Sequence, residues 1–133
     1  MATEWRLAIQ SDRDIVTARQ QGRSLAEQVG FASGDQTLIA TAISELARNI
    51  ASYARTGEIV LRVERWRGQR GVAVIAQDQG PGIPDVTEAL RDGYSTSHGM
   101  GLGLPGTRRL MDEFEIVSEV GKGTTVTTKK WRH

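Results

Sequence analysis

The chain contains no cysteine. That excludes a disulfide scaffold, a Cys-ligated zinc site, an iron–sulfur cluster and thiol catalysis, and it fits a reducing, cytoplasmic setting. Nor is there an excess of either charge: 17 Lys and Arg stand against 16 Asp and Glu, a formal net charge of +1. Neutralising phosphates requires clustered cationic excess, so no nucleic-acid partner is expected. No apolar run approaches the roughly 20 residues of a membrane span. The opening Met1-Ala2-Thr3-Glu4-Trp5-Arg6 lacks the basic-then-apolar order of a secretory signal. The expectation is a cytoplasmic protein without membrane association. Histidine is scarce as well, and His98 and His133 stand too far apart to build a metal cluster. What is present is ordinary for a globular chain, with 38% hydrophobic and 25% charged residues. A length of 133 residues suffices to bury a core without metal or disulfide staples, and a single domain over 1–133 is expected.

Trp5, Leu7 and Ile9 alternate with more polar residues, which predicts a strand with one buried face. Asp12 is positioned to cap a helix over roughly 13–29 that Gly30 ends. Ser33 and Gln36 have capping-box spacing for a second helix. The apolar face of that helix is Leu38, Ile39, Ala42, Ile43, Leu46, Ala47 and Ile50, and it runs to near Thr56-Gly57. Two alternating runs, Ile59-Leu61-Val63 and Val72-Val74-Ala76, flank a hairpin loop at Arg67–Gly71. From Asp78 to Gly103 the chain is rich in Gly, Pro, Ser and Asp, and so long a stretch without core residues is functional or disordered. A helix over Leu104–Met111 follows, with Gly103 at its entry and Pro105 in its first turn. Phe114, Ile116 and Ser118 start a strand, Gly121-Lys122-Gly123 turns it, and Thr124–Trp131 closes the chain. Clustered hairpins with helices to cover one face predict an α+β fold. Its form is a two-layer sandwich of a mixed, mostly antiparallel sheet with helices on one face.

Four segments carry chemistry. Glu45 and Asn49 lie four apart on the second helix and project from one side. Asn49 offers a neutral oxygen suited to Mg2+, and Glu45 a carboxylate able to take a proton from a hydroxyl. The competing reading is a polar helix flank in which Glu45 pairs with Arg48 or Arg55. Asp78-Gln79-Gly80-Pro81-Gly82 ends an apolar strand; it is either a tight turn or an acceptor for an exocyclic amine beside backbone that a flat ring can approach. Gly99-Met100-Gly101-Leu102-Gly103 enters a helix, as a hinge or as a phosphate cradle built from backbone N–H groups and the helix dipole. It is neither a Rossmann fingerprint nor a Walker A loop. Gly121-Lys122-Gly123-Thr124-Thr125 reads as a hairpin turn whose Thr124 hydroxyl is free to serve a base or a bridging water.

In this order and spacing the four segments resemble one family, the GHKL ATPase/kinase superfamily of gyrase, Hsp90, histidine kinases and MutL, with its Bergerat nucleotide-binding fold. The resemblance covers roughly residues 5–131. Without room for a transducer or a phosphoacceptor helix pair, what remains resembles the small bacterial serine kinases that control sigma factors. The segments Gly101–Phe114 and Glu45-Leu46-Ala47-Arg48-Asn49-Ile50 look like the RsbT type, the switch kinase of the stressosome. Anti-sigma relatives of the RsbW and SpoIIAB type usually carry Asn-Ala-x-x-His-Ala-Tyr. Here Asn49 is followed by Ile50-Ala51-Ser52-Tyr53-Ala54, with no histidine.

The resemblance implies ATP and Mg2+, with Asn49 as the metal ligand and Glu45 as general base. It implies that Asp78 accepts a hydrogen bond from the adenine amine, that Gly80 and Gly82 lie at the base pocket, and that Thr124, with Thr125 beside it, supports the base. Residues from about Ile83 to His98 would form a lid over the phosphates, which Gly99, Gly101 and Gly103 would cradle. The implied substrates are serine or threonine residues of STAS-domain antagonist and scaffold proteins, and the implied second partner is a PP2C-type phosphatase. The alternative is an anti-sigma factor kinase of the RsbW/SpoIIAB type, which sequesters a sigma factor and phosphorylates an anti-anti-sigma factor.

Overall fold

A computed structural model describes residues 3–90 and 103–132. The elements run β1 (Glu4–Ile9), α1 (Asp12–Val29), α2 (Ser33–Asn49), a π-helical turn (Ile50–Ala54), β2 (Gly57–Trp66), β3 (Gln69–Asp78), a short α3 (Val86–Ala89), α4 (Gly103–Leu110), β4 (Glu113–Glu119) and β5 (Gly123–Arg132). The five strands form one sheet in the order β1-β2-β3-β5-β4. All four pairings are antiparallel, so the sheet expected to be mixed holds no parallel pair among the described residues. The excursion from β3 through α4 brings β4 back in the same sense as β3, and β5 inserts between the two, antiparallel to both.

Helix boundaries follow local chemistry with three departures. Ser11, not Asp12, is the N-cap residue of α1, and it caps without a side-chain bond; Asp14 instead reaches back to accept the Gln10 N–H at 2.8 Å. Gly30 adopts the left-handed conformation and ends the helix as its spacing predicts, its N–H donating to Ala26 and Glu27 carbonyls. The expected Ser33–Gln36 capping box does not form. Ala32 is the N-cap of α2, and the Gln36 amide donates outward to the Phe31 carbonyl at 2.8 Å. The second helix also stops earlier than its apolar pattern suggests. α-Helical geometry ends at Asn49 and widens into the π-turn, and Arg55 at φ 69 then redirects the chain. Such turns shift the register of the following side chains by about one residue.

The loop expected over residues 67–71 shrinks to Arg67-Gly68 at φ 50 and 78, a two-residue turn whose positive φ values match strand twist. Gln69, Arg70 and Gly71 join β3. Helices cover the face of the sheet carrying Ile59, Leu61, Val72, Val74 and Val126, and bury it against Ile39, Ile43, Leu46 and Ile50 of α2 and the π-turn. Leu38, expected on this face, is only partly buried. The opposite face holds a smaller buried group, Val60, Ala73 and Ile75. Ion pairs Arg6–Glu58, Arg62–Glu4 and Lys129–Glu64 share that face. The Arg62 hydrogen bond to Glu4, with Arg6 beside it, holds the Glu4 carboxyl below the usual carboxylate range. No helix among the described residues is long and apolar enough to cross a membrane.

Candidate active site

β3 and β5 are neighbours in the sheet, with Ala76 opposite Val126 and Asp78 opposite Thr124. These four side chains share the helix-covered face because strand residues alternate. They form the floor of a cavity of about 230 Å3. Leu46 and Asn49 of α2, with Ile50 and Tyr53 of the π-turn, make one wall. The chain from Pro81 to Pro84, together with Ala89 and Leu104, makes the other. The lining is mostly apolar with a few polar groups, as small-molecule sites commonly are.

Asp78 is fixed by its own turn, Oδ1 accepting the Gly80 N–H at 2.9 Å. Gly80 itself does not line the cavity. It lies against the π-turn, where an added Cβ would come within 2.6 Å of the Ala54 Cβ. Gly82 does line the cavity. Its φ of +79 and the 2.3 Å that would separate a Cβ from the Glu119 carbonyl oxygen leave room for glycine alone. The β4–β5 turn therefore lies directly on this loop, and the Gly121 N–H donates to the Pro81 carbonyl at 2.9 Å.

Thr124 stands on the cavity floor, whereas Thr125 does not line the cavity. Thr125 sits opposite Gln77 on the other face of the sheet, the unavoidable result of a two-residue period. Glu45 is buried, with 7% exposure, one helical turn before Asn49. It is outside the cavity lining, and Arg48 donates to its Oε1 at 2.9 Å. Its pairing with Arg48 and its place beside the cavity wall coexist. Gly103 opens α4, and the following Leu104 reaches the cavity. Gly99, Gly101 and residues 91–98 of the lid segment expected over Ile83–His98 lie outside the described residues.

Two residues of the site were not singled out from sequence. Tyr53 is 45% exposed at the cavity rim, a position that depends on the π-turn. Ser118 is a hydroxyl at an alternating position of a strand otherwise lined there by Phe114 and Ile116; that break in the apolar stripe was its one signal.

A strand-end carboxylate and a hydroxyl on neighbouring strands thus share an apolar cavity floor, and a helix supplies an amide on the wall. Residues 34–132 match the family of histidine kinase-, DNA gyrase B- and HSP90-like ATPases, and the chain belongs to that family. Over 123 residues it is 53% identical to the serine/threonine-protein kinase RsbT of Bacillus subtilis, covering 92% of each chain. It is also 30% identical over 118 residues to the anti-sigma F factor of Geobacillus stearothermophilus, covering 85% of this chain and 81% of that one. The anti-sigma F factor of Halalkalibacterium halodurans is 34% identical over 101 residues, covering 72% and 69% respectively. The chain is an ATP-using protein kinase of the ATPase family.

Proposed function

We propose that this chain is a cytoplasmic, single-domain serine/threonine kinase of a partner-switching module, using Mg2+ and ATP to phosphorylate STAS-domain antagonist and scaffold proteins of a stressosome. Once released, it binds and activates a PP2C-type phosphatase. Neither a nucleic acid nor a membrane is a partner in this reading. The observation that carries the catalytic part is the Asp78–Thr124 pair on the cavity floor, with Asn49 on the α2 wall and Glu45 one turn away.

Asp78 accepts the adenine 6-amino hydrogen, and Gly82 lets the loop close on the ring. Gly103, with Gly99 and Gly101 before it, offers backbone N–H groups to the phosphates at the start of α4. Asn49 would hold Mg2+, which would neutralise phosphate charge when bound. Among the described residues no group of three acidic or histidine side chains gathers to hold a metal. A single amide oxygen suits an ion bound chiefly by phosphate and water.

Glu45 accepts the proton of the target hydroxyl as its oxygen bonds to the γ-phosphorus. The bond from that phosphorus to the bridging oxygen breaks, and ADP leaves with the electron pair. The Arg48 contact orients the Glu45 carboxylate. Such transfer relies on positioning and charge stabilisation.

The test is transfer of labelled phosphate from Mg·ATP to a purified STAS-domain protein, slowed about 10²- to 10⁴-fold in Glu45→Ala. No transfer by the wild-type chain would refute the kinase reading. The anti-sigma F relatives favour a second reading, in which the chain sequesters a sigma factor and phosphorylates an anti-anti-sigma factor. Tight binding to a sigma factor would decide for it. The higher identity to the RsbT kinase favours the first.

A further inference from the structure

Ser118 carries a constellation that the proposed reaction does not use. Its Oγ accepts the Ile83 N–H at 2.7 Å, lies 2.7 Å from the Thr124 Oγ1 and 3.2 Å from the Gly123 carbonyl oxygen. A serine hydroxyl has one proton and two acceptor sites, so these contacts allow two arrangements. In the first, Ser118 donates to the Gly123 carbonyl and receives the Thr124 proton, which leaves the Thr124 lone pairs facing the cavity. In the second, Ser118 donates to Thr124, which turns the Thr124 proton into the cavity. Ile83 is held by its amide in both.

We infer that Ser118 is a positioning residue for the nucleotide base: it sets the polarity of the Thr124 hydroxyl and ties the Ile83 backbone to the cavity floor. This rests on reading the cavity as the ATP site. Asp78, opposite Thr124, accepts the Gly80 N–H through Oδ1 and offers its other oxygen as an acceptor. With Thr124 turned to donate, the floor presents an acceptor beside a donor. That is the complement of an aminopurine edge, where an exocyclic amine neighbours an unprotonated ring nitrogen. Ile83 lines the cavity, so its tie to Ser118 holds one wall at the distance that the floor requires. The Gly121–Pro81 bond joins the same two loops but contacts neither hydroxyl, so it does not substitute for Ser118.

Mg·ATP binding is to be measured by calorimetry for the wild type, Ser118→Ala, Ser118→Thr, Thr124→Val and the double variant Ser118→Ala/Thr124→Val. Loss of the Ser118 hydroxyl leaves the Ile83 N–H unpaired and Thr124 unoriented. ATP affinity should therefore fall about 5- to 20-fold, with KM for ATP rising more than kcat falls. Ser118→Thr keeps the hydroxyl and should recover affinity to within about 3-fold, on the same reckoning. Because part of the Ser118 effect runs through Thr124, the double variant should lose less affinity than the product of the two single losses. Independent effects would multiply instead. Exchange of the Ile83 amide should speed up in Ser118→Ala and not in Ser118→Thr. If Ser118→Ala folds poorly, Ser118→Cys, close in size and a weak donor, carries the same comparison. Wild-type affinity in the hydroxyl-free variants, or effects that multiply, would overturn the role of Ser118 alone. A wild-type chain that binds no ATP would overturn the ATP-site reading and this inference with it.

Discussion

Replacing Asp78 by asparagine exchanges one carboxylate oxygen for an amide NH2 and leaves the side-chain shape intact. The Gly80 N–H already holds one oxygen at 2.9 Å, so the asparagine oxygen takes that place and its NH2 turns to the cavity, donor against the adenine amine. The alternative rotamer faces the base with oxygen but sets NH2 against the Gly80 N–H and forfeits that bond. Either way one polar group ends unpaired in a partly buried site, at about 1–3 kcal/mol. At about 1.4 kcal/mol per tenfold, ATP affinity should drop roughly 5- to 150-fold. The β3–β5 pairing at Asp78 and Thr124 runs through the backbone, so the thermal midpoint should move little. Calorimetric titration with Mg·ATP, paired with a melting curve, checks both. A folded variant that binds ATP as tightly as wild type would remove Asp78 from the base site.

Glu45→Ala should retain nucleotide affinity while phosphotransfer falls about 10²- to 10⁴-fold, the usual worth of a general base; transfer at the wild-type rate would leave Glu45 as a helix residue paired with Arg48. Asn49→Ala should weaken binding of Mg·ATP more than of metal-free ATP, and equal losses in titrations with Mg2+ and with EDTA would argue against metal ligation. Gly123→Ala should destabilise the fold by about 1–3 kcal/mol, because its φ is +120 and a Cβ would sit 2.1 Å from the Asp78 carbonyl oxygen. A urea midpoint equal to wild type would contradict that packing.

Elements governed by near neighbours were legible in the residues themselves. The three-and-four spacing from Ile39 to Ile50 marks the buried face of α2, and the alternation in β1 and β2 marks one sheet face. Gly30 stops α1 because its left-handed φ suits glycine. Asp78 at a strand end and Asn49 on a helix flank also stood out by residue type and spacing, and the structure brings both to one cavity. Glu45 stood out in the same way, but whether it would pair with Arg48 or Arg55 was open until the side chains were in place.

Distance in the chain hid the rest. Thr124 and Thr125 are indistinguishable as neighbours in sequence; only the β3–β5 register, pairing Asp78 with Thr124, decides which lines the floor. Gly80 and Gly82 look alike in a turn, yet one lies against Ala54 and the other against Glu119, contacts made by separate parts of the chain. Ser118 gains its role from Ile83, which is 35 residues away, and from Thr124 across the β4–β5 hairpin. Alternation and helical period are properties of a few successive residues and survive in the sequence. Strand order, register and the meeting of loops depend on the burial of many side chains at once, so only the folded chain decides them.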